Sequence, residues 1–223
     1  MATASVTTDS AATKSRLIDV AERLFADHGF DAVSLRQITS EAEANLAAVN
    51  YHFGSKEELT MAVVKRWLTP LNVARLQLLA EAEKRANAAG RSSPVVAEVA
   101  EAFVRPALEL YRDSEQSRQV FFRLIGRCML DSRQSVSVSL VAEFREVVEK
   151  FGAAFGRCLP HLTSAEVTMR MMFMAGAMVH TILNIDKLAV FHGSALVVPP
   201  TEELVRQMVE FVASGFTGEK GRE

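Results

Sequence analysis

Apolar positions recur along this chain with helical spacing, and nowhere do they alternate long enough to make a strand. Leu17, Val20, Ala21, Leu24 and Phe25 stand at i, i+3, i+4, i+7 and i+8, which predicts an amphipathic first helix of about four turns. Gly29 supplies its stop, and Phe30 and Val33 are expected to pack beneath the next segment. Ser34 has the chemistry of an N-cap with Gln37 three residues on, and Leu35, Ile38 and Ala42 give the helix that follows one apolar face. Asn45 heads a second short helix over Leu46 to Phe53, with Leu46, Val49 and Phe53 expected inward. Ser55, followed by Glu58, caps a long helix from Lys56 toward Ala89. Pro70 lies inside it and removes a backbone hydrogen bond, so a kink or break is expected near Arg66 to Thr69. After a loop at Ala88 to Pro94, helical patterns cover 94–112, 114–131, 136–158, 163–190 and 201–216. Pro106 marks a kink in the first, Pro160 ends the third, Thr163 with Glu166 caps the fourth, and Pro199-Pro200 opens the last. The fold class is all-α.

Two short helices joined by a tight turn and closed by a firm cap are the organisation of a helix-turn-helix, whose second helix enters the DNA major groove. Asn45, Ala47, Ala48, Asn50 and Tyr51 are left to face outward, with His52 near the helix end. Small side chains such as Ala47 and Ala48 let a helix approach bases and touch a thymine methyl, and an asparagine such as Asn50 pairs with adenine through two hydrogen bonds. Tyr51, His52 and Lys56 suit phosphate oxygens, as do Ser34 and Arg36 at the start of the first short helix. Any one of these residues alone reads equally well as solvated surface. Together, with the caps at their spacing, they form a recognition face.

The run Arg16-Leu-Ile-Asp-Val-Ala-Glu-Arg-Leu-Phe-Ala-Asp-His-Gly-Phe, then Ser34-Leu-Arg-Gln-Ile, then Val49-Asn-Tyr-His-Phe-Gly-Ser-Lys-Glu-Glu-Leu, resembles the tetracycline-repressor (TetR/AcrR) family over about residues 14–64. Two departures stand out: Glu43-Ala44 where the family usually has Gly-Val, and Asn50 where it usually has Tyr. If Glu43 takes a positive φ, the cost is of order 1 kcal/mol. The resemblance implies an N-terminal three-helix DNA-binding domain and a C-terminal helical bundle that binds a small molecule, pairs two copies and loosens the DNA grip on binding. It places a leader at 1–12, the DNA-binding domain at 13–68, the ligand-binding and dimerisation domain at 69–217 and a tail at 218–223. The implied mode is repression at a palindromic operator. Asn45-Leu-Ala-Ala-Val-Asn-Tyr-His-Phe, Trp67-Leu-Thr-Pro-Leu-Asn and Phe103-Val-Arg-Pro are similar to a fatty-acid-responsive branch, which implies an apolar, acyl effector.

Composition changes this picture little. Hydrophobic residues make up 49% and charged ones 23%, ordinary for a globular protein. Net charge is −2, and residues 1–70 hold seven Lys and Arg against nine Asp and Glu, so bulk electrostatics does not carry the DNA reading. Cys128 and Cys158 sit in apolar helical surroundings, as buried small hydrophobes do, and a reducing cytoplasm fits them. The N-terminal stretch lacks the apolar core of a signal peptide and reads as flexible, and no run is long enough to span a membrane. No nucleotide loop, nucleophile elbow or zinc-protease motif is present, so the chain does not read as an enzyme, and neither a metal site nor a cofactor is expected.

Ten of the thirteen Phe residues follow residue 100. The candidate effector pocket is Phe103, Tyr111, Phe121, Phe122, Ile125, Met129, Phe144, Phe151, Phe155, Met171, Met174 and Met178, with Arg123, Arg127 or Arg170 to meet an acyl carboxylate. A Met and Phe stripe at helical spacing is core more often than pocket. Val179, Ile182, Leu183, Leu204, Met208, Phe211 and Gly215 are the candidate homodimer surface. His180 reads as a hydrogen-bonded core or interface histidine. The rival reading is a helical ligand-binding protein whose DNA reader has decayed, as Glu43 and the acidic first domain suggest.

Overall fold

The computed structural model describes residues 3–113, 134–192 and 198–218, and every regular element among them is an α-helix. In chain order these are α1 (Thr3–His28), α2 (Leu35–Glu41), α3 (Leu46–His52), α4 (Lys56–Ala88), α5 (Val96–Asp113), α6 (Gln134–Cys158), α7 (Ser164–His192) and α8 (Thr201–Thr217). None of the described helices is long and apolar enough to cross a membrane. The pattern expected at 114–131 lies outside the described residues. The other expected helices begin and end within a few residues of those observed, apart from α1.

Helix α1 begins at Thr3, so the stretch expected to be a flexible leader is helical. Residues 3–16 contain neither Gly nor Pro, and nothing in them stops a helix nucleated by the buried Leu17, Ala21, Leu24 and Phe25 from growing backwards. Of the kink or break expected at Pro70, the break is absent: α4 runs as one helix of 33 residues. Pro70 is exposed, and it deprives only the carbonyl one turn earlier of its N–H.

The chain divides into two compact units, Met1–Thr69 with Gln119–Glu143 and Pro70–Arg118 with Phe144–Glu223. This departs from the expected single cut at 68/69, because the start of α6 groups with the N-terminal unit. The Lys65 ammonium pairs with Glu143 at 2.9 Å and ties that start to α4.

In the first unit, Leu17, Ala21, Phe25, Phe30, Val33, Ile38, Ala42, Val49 and Leu59 are buried, so α1 to α4 close around one small core. Ion pairs fix the helices from outside: Arg23 of α1 meets Glu41 of α2 at 2.5 Å, and Arg66 of α4 meets Asp19 and Glu22 of α1. Burial raises the Glu22 carboxyl above its ordinary range, against the pull of Trp67 and Arg66.

In the second unit, α5 buries Val99, Ala100, Phe103, Val104, Ala107 and Leu108, while α8 buries Leu204, Val205, Met208, Val209, Val212 and Phe216. Arg105 on α5 binds Glu101, Glu109 and, across to α8, Glu202 at 2.7 Å, and these carboxylates hold its guanidinium more firmly charged than usual. The α7 start is a complete capping box: Glu166 N–H donates to Thr163 Oγ1 at 3.3 Å and Thr163 N–H to the Glu166 carboxylate at 2.8 Å.

Candidate nucleic-acid interface

The two short helices are set by their ends. Ser34 Oγ accepts the Gln37 N–H at 3.2 Å and starts α2, and Asn45 Oδ1 accepts the Ala48 N–H at 2.8 Å and starts α3. Between them the chain turns through Glu43, at φ 49° the one non-glycine with positive φ among the described residues. The hydrogen bonds there form a Schellman motif: Glu43 N–H donates to the Ser40 carbonyl at 3.4 Å and Ala44 N–H to the Thr39 carbonyl at 2.9 Å. That motif wants a left-handed residue after the cap, a conformation costly for any side chain bearing a Cβ. Gly54, at φ 80°, meets the same demand after α3 without strain.

Glu43→Gly therefore relieves about 1–2 kcal/mol of backbone cost and gives back about 0.5–1 kcal/mol to chain entropy. We expect a net gain of a few tenths to about 1 kcal/mol in urea unfolding. Loss of stability in that titration would show that the turn carries no strain.

Helix α3 rests on Val49, which is fully buried. Asn45, Ala47, Asn50 and Tyr51 are exposed, Tyr51 to 81%, and Ala48 and His52 are half-buried. Leu46 was expected inward and is instead 45% exposed, while Phe53 is half-buried. In a helix of seven residues one buried anchor suffices, and its first residue swings clear of the core. Tyr51 and His52 meet edge to face at 5.0 Å, which limits the freedom of both rings. Ser34 and Arg36 are exposed on α2. Lys56 is half-buried, and its ammonium donates to the Phe30 carbonyl, so it ties α4 to the end of α1.

The outward side of α3 also borders a groove of about 720 Å³ whose other wall is α1: Ser10, Thr13 and Arg16 face Glu43, Ala44, Asn45, Ala47, Ala48, Tyr51 and His52. Arg16 and Thr13 were missed by sequence reasoning because they fall at the edge of the supposed leader. The signal that could have found them is the absence of any helix breaker before Leu17.

Among the candidate pocket residues, Phe103, Tyr111, Phe151, Phe155, Met171, Met174 and Met178 are buried and Phe144 is half-buried. Phe103 and Phe151 meet edge to face at 5.3 Å, and Phe155 stacks on Phe216 at 4.3 Å. Phe121, Phe122, Arg123, Ile125, Arg127 and Met129 lie outside the described residues. Arg170 donates through Nη1 to the Phe216 carbonyl in the last turn of α8 and so caps that helix.

The dimer candidates divide. Phe211 and Gly215 are exposed, and Val179 and Leu183 are half-buried. Ile182, Leu204 and Met208 are buried within the chain itself, because they form the inward stripes of α7 and α8. Among the described residues, the large apolar side chains left outward on these two helices are Met169, Met172 and Phe173 on α7 and Phe211 on α8. His180 is exposed and bonded to Asn184, so it is no core residue. No group of His, Cys, Asp and Glu among the described residues could hold a metal ion.

Comparison with known proteins agrees with this architecture. Residues 17–63 match the signature of bacterial regulatory proteins of the tetR family, and residues 101–215 match the tetracyclin repressor-like C-terminal domain. The regulator BetI of Rhizobium meliloti is 30% identical over 110 residues, covering 48% of this chain and 54% of BetI. The nicotine-responsive repressor HdnoR of Paenarthrobacter nicotinovorans is 43% identical over 58 residues, 26% of this chain and 30% of its own length. The chain thus spans about half or less of the curated relatives it matches. Among solved structures, the fatty acid degradation regulator FadR from Bacillus halodurans superposes with a TM-score of 0.63 at 12% identity, over 92% of this chain and 99% of that one. A TetR-family regulator from Bordetella parapertussis gives 0.61 at 16% identity, over 94% and 98%. At such identities the likeness is one of fold. The chain belongs to the TetR family, whose members are transcriptional regulators and not enzymes.

Proposed function

We propose that this protein is a ligand-responsive repressor: a homodimer that holds a palindromic operator through two copies of α3 and releases it when a small apolar molecule binds the second unit. The observation that carries the reading is the outward face of α3, where Ala47, Asn50 and Tyr51 stand exposed above a fully buried Val49. Asn50 is the base-reading side chain, Ala47 and Ala48 permit close approach, and Tyr51, His52, Ser34, Arg36 and Asn45 hold phosphates. Arg16, across the groove, adds a cation that the net charge conceals. The name of HdnoR supports repression as the mode; its response to nicotine is not carried over.

The test is a gel shift with duplex from beside the protein's own gene. Sequence-specific retention that falls steeply with salt is expected. Binding no better than to random duplex would favour the other reading, a ligand-binding protein with a lost reader, for which the Glu43 carboxylate beside the groove is the supporting observation.

Dimerisation is proposed through the exposed apolar side chains of α7 and α8, a stripe of a kind that seldom stays in water. Met169, Met172 and Phe173 fall at i, i+3 and i+4 and are 48%, 62% and 65% exposed, and Phe211 is 66% exposed. Phe173→Glu combined with Phe211→Glu should give a monomer by light scattering, with the helical signal in circular dichroism unchanged. A dimer that persists places the interface elsewhere.

A further inference from the structure

Among the described residues of the second unit Arg75 is the one buried arginine, and it has no carboxylate partner there. It lies on α4 at an inward position of the stripe Leu68, Leu71, Asn72, Leu79, Ala82 and Ala86, with 2% of its surface exposed. Its Nε donates to the Phe103 carbonyl at 3.0 Å, one residue from the Ala102 carbonyl whose partner Pro106 cannot supply. Among the described residues the other end of the guanidinium is poorly served: Nη1 reaches Asn72 Oδ1 at 3.3 Å, and Nη2 has only the Met178 thioether at 3.9 Å. The plane lies over the Phe103 ring with Cζ 4.1 Å from its centroid, which steadies a cation but leaves its edge donors open. Burial pulls the group down to about 9, and among the described residues no nearby charge opposes that pull. A buried charge without a counter-charge is costly, and chains seldom keep one without use.

We infer that Arg75 is the anchor for an anionic effector, a monocarboxylate whose apolar body lies against Phe103, Met178 and their neighbours. The planar fork of Nη1 and Nη2 matches a carboxylate edge to edge, and the anion supplies the counter-charge the described chain lacks. Asn72, one turn before Arg75 on α4, holds the guanidinium in place. This deepens the reading of the second unit as effector-binding, and it rests on that reading for its biological meaning. The chemistry stands without it.

The experiment compares thermal melts of the full-length protein at fixed ionic strength in octanoate or benzoate against octan-1-ol or benzyl alcohol. At least one acid should raise the melting temperature by roughly 5–10 °C at about a hundredfold excess over its Kd, with its neutral counterpart giving little. Arg75→Met should lose the preference for acid over alcohol, and Arg75→Lys should keep part of it. Acid and alcohol acting alike on the parent, or Arg75→Met responding as the parent does, overturns the anchor. The comparison within the parent needs no variant, so it decides even if Arg75→Met fails to fold. Operator retention is scored separately by gel shift. A parent that prefers acids but binds no operator loses the repressor reading and keeps the anchor, and the reverse result does the opposite.

Discussion

Asn50→Ala and Tyr51→Ala each weaken operator binding by about 1–3 kcal/mol for every half-site, while the protein melts where the parent does. A dimer on two half-sites feels the loss twice, so the fall in affinity is roughly thirtyfold to twenty-thousandfold. The fold is spared because neither side chain supports it. Tyr51 is 81% exposed and Asn50 is exposed, and alanine is the better helix former at both places. Asn50→Ala should also differ from Arg36→Ala in kind. Removing a phosphate contact lowers affinity on every duplex alike and reduces the salt slope by about one, whereas removing a base contact relaxes specificity at particular positions. If Asn50→Ala and Tyr51→Ala both footprint like the parent, α3 is not the reading helix.

That face was legible because helix starts are written locally. Ser34, Asn45, Ser55 and Thr163 each accept the N–H three residues on, and a cap is a property of four adjacent residues that a sequence displays openly. What failed depended on the rest of the molecule. Leu46 looked inward by spacing, but seven residues are too few to fix a face, and Val49 alone fills the contact. Pro70 read as a kink or a break, and no break follows, because an exposed proline interrupts one hydrogen bond in a 33-residue helix and the other turns hold.

Arg75 was not among the candidates read from the sequence. Its signal was present: it falls on the Leu68, Leu71, Leu79, Ala82 stripe, where the apolar period expects a hydrophobe. A charge in phase with the buried face is the pattern to look for. Ile182, Leu204 and Met208 show the converse error, since apolar side chains at helical spacing do not declare whether they meet their own chain or another copy. Only exposure separates them from Met172, Phe173 and Phe211.

Phe25→Ala should cost about 3–5 kcal/mol and remove operator binding by a different route. Phe25 is fully buried, with its ring 5.0 Å from that of Phe30, so truncation leaves a void where α1 meets the chain that leads into α2. A whole domain holds only about 5–15 kcal/mol in reserve, and a unit this small sits at the low end because it buries less of its surface. Trp67 is the chain's one tryptophan and belongs to the first unit, so its fluorescence in a urea titration follows that unit's unfolding. The expected midpoint moves sharply downward, and operator affinity falls in step with the folded fraction, recovering when an excluded osmolyte restores the fold. Tyr51→Ala should show no such recovery, because nothing unfolded to cause its loss. An unfolding curve for Phe25→Ala within about 1 kcal/mol of the parent would mean that the small core is not what holds the reading helix in place.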